Sequence, residues 1–250
     1  MRIYIGIDDT DSDESEYGTG KVARWIEDSL PVGCSLWGVV RQQLLVDDRI
    51  PYTSHNSSAC VIVDVTDESL FDHIVTVASG HIEKHAVPGS DPGLCVCAEK
   101  NRNLVDIIAF SQRCTREVVS QAEAMKATYD AHLSAHGGTG DGIIGATAAI
   151  GLTAYGQCGR FIEFGRLRDL PDPVQVSVLE SLGIMVVSVD RQAPLPSPSD
   201  LVHSHGWLRP RLWARKVLLP VQGDPQNGWV CVGRKKNKGG IDHGGKNLLP

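Results

Sequence analysis

Apolar residues recur along the chain with two periods, and their alternation sets out the elements. Residues 2–7 alternate and are rich in β-branched side chains, which predicts a short strand ending at an acidic turn. Over residues 20–30, Val22, Ala23, Ile26 and Leu30 fall at helical spacing, and Pro31-Val32-Gly33 stops the helix. Residues 36–46 read as a strand or a pair of short ones, residues 50–58 as a polar loop, and residues 59–65 as a second clear strand. Helical period returns over residues 69–85 through Leu70, Ile74, Val77, Ala78 and Ile82. Residues 94–98 and 104–110 are apolar enough for a strand or a buried helix, and periodicity does not arbitrate. Residues 115–132 predict a helix with Val118, Val119, Ala122, Met125 and Tyr129 on one face.

The strongest break is the glycine-rich segment at residues 135–142. Beyond it the pattern predicts an alanine-rich helix at 143–152, a strand near 160–166, a helix near 173–182 and a strand at 184–189. A proline-rich connector at 194–198 leads to strands at 213–221 and 228–233 and a tail rich in glycine and lysine. Strands alternate with helices throughout, so the fold class is α/β (α+β), with two domains joined near residue 136.

Composition narrows the class. The chain has 250 residues, 42% of them apolar and 22% charged, as in an ordinary globular protein. A net charge of -6 argues weakly against a broad basic surface for nucleic acid, although the first eighteen residues are acidic and residues 209–246 basic. Seven cysteines form no CxxC pair, so neither a zinc ribbon nor a redox motif is supported. Cys95 and Cys97 share one face of a strand, a packing arrangement. The absence of a leader, of a long apolar run and of paired cysteines predicts a cytoplasmic protein without a membrane span.

The candidate chemistry lies in four polar segments. Asp8, Asp9 and Asp11, with Thr10 and Ser12 between and after them, follow a strand end. Three close carboxylates repel one another unless a cation or donors offset the charge, and Mg²⁺ takes such hard oxygens together with substrate phosphates. A solvated Asp/Ser turn is the competing reading. Gly18, Thr19, Gly20 and Lys21 open the first helix, either as an anion site with a lysine charge or as a plain N-cap. Gly138, Gly140 and Gly142 form a second glycine-rich helix start, either a backbone cradle for phosphate or an interdomain hinge. Tyr52, Thr53, His55 and Asn56 sit in the polar loop, where hydroxyls, an amide and an imidazole suit a phosphate, a ribose or a small amine.

In that order the segments resemble the tRNA-isoleucine agmatidine synthetase family. The resemblance rests on Ile5-Gly6-Ile7-Asp8-Asp9-Thr10-Asp11-Ser12, Gly18-Thr19, Ile50-Pro51-Tyr52-Thr53 and Gly89-Ser90-Asp91-Pro92-Gly93-Leu94. It continues through Gly142-Ile143-Ile144-Gly145-Ala146 and Ala148-Ala149-Ile150-Gly151, then through the later strands at 160–166 and 208–233. It implies a kinase-like ATP domain over 1–136, a ferredoxin-like domain over 137–235 and a basic tail at 236–250. It further implies Mg²⁺ and ATP phosphates on Asp8, Asp9 and Asp11, with Thr19 close to the threonine pair that accepts a phosphoryl group. Where the family carries a basic pair, this chain has Ser54-His55. The resemblance does not reach the family's OB-fold and cysteine zinc ribbon, which hold tRNA. ATP with a nucleotide or small amine is therefore a stronger expectation than RNA. Two alternatives stand beside an ATP-dependent enzyme: a nucleotide-sensing or assembly module without turnover, and a haloacid-dehalogenase-type phosphatase, suggested by Asp9-Thr10-Asp11 and Gly140-Asp141-Gly142.

Overall fold

The computed structural model describes residues 1–232 apart from 13, 53, 54, 191, 193, 194, 207 and 225–227. Thr53, part of the proline-rich connector and the basic tail lie outside the described residues. Strand β1 (Arg2–Asp8) is buried through its middle and leads through the acidic turn to helix α1 (Thr19–Trp25). Strands β2 (Cys34–Gln43) and β3 (Ser57–Val65) follow, then α2 (Phe71–His85), β4 (Gly93–Ala98), α3 (Leu104–Arg113), α4 (Gln121–Ala127) and β5 (His132–Ala135). Helix α5 (Gly142–Tyr155) precedes β6 (Arg160–Glu163), β7 (Val174–Gln175), α6 (Val176–Ser181) and β8 (Ile184–Ser188). The described chain closes with β9 (Leu201–His203), β10 (Arg211–Trp213), β11 (Lys216–Asp224) and β12 (Gly228–Cys231).

Among the described residues, 12 strands form one sheet in the order β5-β4-β1-β3-β2-β6-β10-β11-β12-β9-β7, with β8 beside β11. Pairing is antiparallel except for β8 with β11 and β9 with β12. The ambiguous pair of segments resolves into a strand and a helix. Val96 pairs with Ile5 inside the sheet, whereas Leu104–Arg113 buries Ile107 and Phe110 at helical spacing.

The two faces of the sheet carry different layers. Ile3, Ile5, Ile7, Val61 and Val96 pack with Ile74, Ala78 and Ile82 of α2 and Ala23 of α1. Tyr4, Cys60, Cys95 and Cys97 pack on the other side with Ala146, Ala149 and Ile150 of α5. Cys95 and Cys97 thus fill core space, as their spacing predicts. Helix α5 is buried nearly all round, which suits its position between the sheet and α3. Its approach is so close that a Cβ at Gly6 would strike the carbonyl of Ala146, and one at Gly93 the backbone of Gly142.

The expected helix over 115–132 is corrected. Ser120 and Glu123 make a reciprocal capping box, so the helix begins only at Gln121, and Thr128 ends it. Ala124 and Ala127 form the buried face, while Met125 and Tyr129 are 55% and 67% exposed. His132–Ala135 is an edge strand that hydrogen-bonds to β4. No helix among the described residues is long and apolar enough to cross a membrane.

Candidate functional site

The end of β1 and the starts of α1 and α5 converge on a cavity of about 820 Å³. Asp8 lies on its floor, directly against Gly145: the Asp8 carboxylate occupies the place a Cβ at residue 145 would need. Burial, followed by the charges of Asp9 and Asp11, raises the pKa of Asp8 to about 8. Asp9 turns the chain with a φ of 52°, a left-handed conformation that aspartate tolerates better than most side chains. Burial and the charges of Asp91, Asp11 and Asp141 raise its pKa to about 6. The structure therefore holds five carboxylates within mutual influence, three from the turn and two from neighbouring loops.

Asp11 is anchored. Its Oδ1 accepts hydrogen bonds from the Thr19 backbone N–H at 3.0 Å and the Thr19 hydroxyl at 2.7 Å. Thr19 Oγ1 in turn accepts from the Thr10 N–H at 3.2 Å and the Thr10 hydroxyl at 3.1 Å. Thr10 is fully buried and stands behind Thr19 rather than lining the cavity. The Ser12 N–H is bonded to Ser15 Oγ at 2.7 Å, and Ser12 is likewise absent from the cavity wall. Thr10 and Ser12, expected as nucleotide contacts, instead shape the turn. Gly18, Thr19, Gly20 and Lys21 do line the cavity, with the Lys21 ammonium 5.2 Å from the Trp25 ring centroid.

The glycine-rich segment divides. Gly142 lines the cavity, but Gly138 and Gly140 do not. The backbone donors of Thr139, Gly140 and Asp141 point to the Asp91 carboxylate at 3.0, 2.8 and 3.0 Å, and the Thr139 hydroxyl joins them at 2.6 Å. Burial opposes ionisation of Asp91, yet these donors hold its pKa below the ordinary carboxylate value. The backbone cradle expected for phosphate at Gly138 and Gly140 is filled by the protein's own anion.

Tyr52, His55 and Asn56 line the cavity as expected. Asn56 also closes the β2–β3 loop, donating to the Leu45 carbonyl at 2.7 Å and accepting from the Leu44 N–H at 2.9 Å. Residues the sequence reading passed over complete the wall. Arg24, Arg41, Arg49 and Arg168 add positive charge, and Leu44, Val118, Val119 and Ile144 form an apolar stretch. Val118 is 43% exposed because it faces this cavity from the connection before α4, not from a helix face. Arg41 is exposed on β2 between buried Val40 and Gln42.

Fold and site together define an α+β protein in which an acidic strand-end turn and several basic side chains line one cavity. No family model matches the chain, and no curated protein does. Among solved structures, the chain is similar to a tRNA fluorescent labeling enzyme, with 27% identity over 60% of this chain and 36% of that one, TM-score 0.51. It is similar to the apo form of an isoleucine-tRNA agmatidine synthetase at 26% identity over 60% of this chain and 35% of that one, TM-score 0.50. The same synthetase in complex with its isoleucine tRNA and ATP matches at 26% identity over 60% of this chain and 36% of that one, TM-score 0.51. The chain thus spans about a third of the length of the solved structures it matches.

Proposed function

We propose that the cavity binds Mg²⁺·ATP and that the chain activates a nucleotide, a small amine or an RNA by phosphoryl or nucleotidyl transfer, in the manner of agmatidine synthetase. The observation that carries this reading is the hydroxyl of Thr19 held on Asp11 at 2.7 Å, beside Asp8 and Asp9 and within one cavity with Lys21, Arg24, Arg41 and Arg168. Complexes of the structural neighbours with ATP, and with AMPCPP and agmatine, support the choice of ligands.

Among the described residues no group of three or more His, Cys, Asp and Glu side chains forms a metal cage. Mg²⁺ bound with ATP needs fewer protein ligands, since phosphates and waters supply the remainder, and Asp8 and Asp9 fit that demand. The ion would neutralise phosphate charge. Asp11 would accept the Thr19 proton as Thr19 Oγ1 forms a bond to the γ-phosphorus and the β,γ-bridging bond breaks, with ADP as the leaving group. The basic wall would steady the phosphates, and the apolar stretch of Leu44, Val118, Val119 and Ile144 suits the purine. The kinase-like and ferredoxin-like parts belong to the same proposal. We place their division after α5 rather than at residue 136, because α5 is buried against β1, β4 and α3.

Incubation with Mg²⁺·ATP, with and without agmatine, tests the reading by product chromatography and by mass spectrometry of the peptide carrying Thr19. Phosphate on that peptide, lost in Thr19→Ala and reduced in Asp11→Asn, is the expected outcome. ATP binding without any product would favour the sensing module. Phosphate release from simple esters without ATP would favour the phosphatase.

A further inference from the structure

A chain of four polar side chains runs along the outer edge of the sheet, away from the cavity. His132 and Ser134 of β5 stand opposite Val96 and Leu94 of β4, so they share the face that carries α2. Ser134 Oγ lies 2.9 Å from Nε2 of His132 and 2.9 Å from Nε2 of His136. His136 Nδ1 lies 3.3 Å from the carboxylate of Glu83, which reaches it from α2. None of the four lines the cavity. A carboxylate only accepts, so Nδ1 of the neutral His136 ring carries the proton and its Nε2 offers a lone pair. The Ser134 hydroxyl therefore donates to His136 and accepts from the Nε2–H of His132. Burial, and then the charge of His136, lowers the pKa of His132, so no second positive charge opposes protonation of His136.

This order of hydrogen bonds is the one an attacking serine requires: a base on its hydroxyl, and an acid on the far nitrogen of that base. The sheet edge supplies donors for the other half of the reaction. The His136 N–H donates to the Pro92 carbonyl at 2.8 Å, and hydrogen-bonded pairs alternate along an antiparallel ladder. Ser134 and His132 thus bond to β4, while the N–H groups of Leu133 and Ala135 point outward from a strand that ends the sheet among the described residues. They flank Ser134, where a carbonyl oxygen gaining negative charge needs donors. Space is open nearby: Gly80 lies one helical turn before Glu83, and a Cβ there would meet nothing within 4 Å. We propose that Ser134 is the nucleophile of a second site that cleaves small carboxylic esters, with His136 as general base and Glu83 and His132 as positioning residues. Ser134 Oγ bonds to the carbonyl carbon as its proton passes to His136 Nε2. The ester C–O bond then breaks, and the alcohol leaves with that proton. Water attacks the acyl carbon and gives a proton to His136, and the carboxylic acid departs as Ser134 regains its proton. The site needs neither nucleotide nor metal and does not rest on the ATP reading.

A fluorophosphonate probe, incubated with the full chain without ATP or Mg²⁺, tests the proposal: an Oγ–P bond forms and fluoride leaves with the hydroxyl proton. Mass spectrometry is expected to find the phosphonyl group on the peptide carrying Ser134, and an acetyl group on the same peptide after p-nitrophenyl acetate. Ser134→Ala should abolish both. His136→Ala is expected to slow labelling about a hundredfold, and added imidazole to restore part of the rate, which a structural role would not allow. Glu83→Gln should slow it about tenfold and lower the pH midpoint of labelling, because the carboxylate favours the imidazolium. His132→Ala should also slow labelling, and His132→Gln, which keeps an N–H donor, should recover part of the loss. No adduct at Ser134, or labelling undiminished in His136→Ala, would overturn the proposal. The Glu83 side chain is 66% exposed, so Glu83→Gln carries the test if His136→Ala fails to fold. An unchanged rate and pH midpoint in Glu83→Gln would then overturn it.

Discussion

Asp91 shows how a single side chain decides what a loop can do. Four donors from residues 139–141 converge on its carboxylate, so the glycines beside them serve an internal contact instead of a ligand. Asp91→Ala is expected to cost about 2 kcal/mol in chemical denaturation, because it leaves backbone donors without a charged acceptor. His81 illustrates a different residue-scale effect. It is 5% exposed with Nε2 2.9 Å from the Val22 carbonyl oxygen, and burial, aided by His85 and Lys84, lowers its pKa. The unfolded chain therefore takes up the proton first as pH falls. The stability His81 contributes is present above about pH 6.5 and is lost as pH drops through that value towards the folded pKa. Denaturation at pH values on either side should show a larger acid loss for the parent than for His81→Gln. At this scale Asp8, Asp9, Asp11 and Thr19 were legible because carboxylates after a β-branched strand are an uncommon combination. Gly145 and Asp91 were not, since their roles exist only once β1 and α5 touch.

Among the elements, those with unbroken period were readable and those set by local capping were not. The strands at Arg2–Asp8 and Ser57–Val65 and the helix at Phe71–His85 follow their patterns because both faces of each strand and one face of the helix are core. The stretch after Cys114 deceived, since Val118, Met125 and Tyr129 repeat at helical spacing without being buried together. The Ser120 to Glu123 spacing was the better guide, being a capping signal written in the sequence. Ser120→Ala is expected to destabilise the protein by about 1 kcal/mol and to unravel the start of α4, seen as faster amide exchange over that helix. Short strands such as Leu201–His203 and Arg211–Trp213 escaped because three residues carry too little period. Their pairing comes from distant partners.

Over the whole molecule, opposite charges are gathered in the lining of one cavity although the net charge is only mildly acidic at -6. Close approach of α5 to β1 sets Asp8 against Gly145, and the pairing of β1 with β3 and of β3 with β2 brings Arg41 to the same cavity. The sequence offered the acidic half of this arrangement as a contiguous motif. Of the basic half only Lys21 stood beside that motif; Arg24, Arg41 and Arg168 are scattered and become visible only in the fold. Asp8, Asp9, Asp11, Asp91 and Asp141 repel one another, a repulsion that the proposed Mg²⁺ would relieve, and this sets the decisive measurement. Melting of the full chain with and without Mg²⁺·ATP, for the parent and for Asp9→Asn, reads the occupancy of that site directly. Ligand at a hundred times its dissociation constant adds about 2.7 kcal/mol, which in a chain of this size raises Tm by about 5–10 °C. The expected result is a shift of that size in the parent, with Asp9→Asn more stable than the parent before ligand is added and unmoved by it. No shift in the parent, or an equal shift in Asp9→Asn, would contradict a magnesium–nucleotide site at this turn.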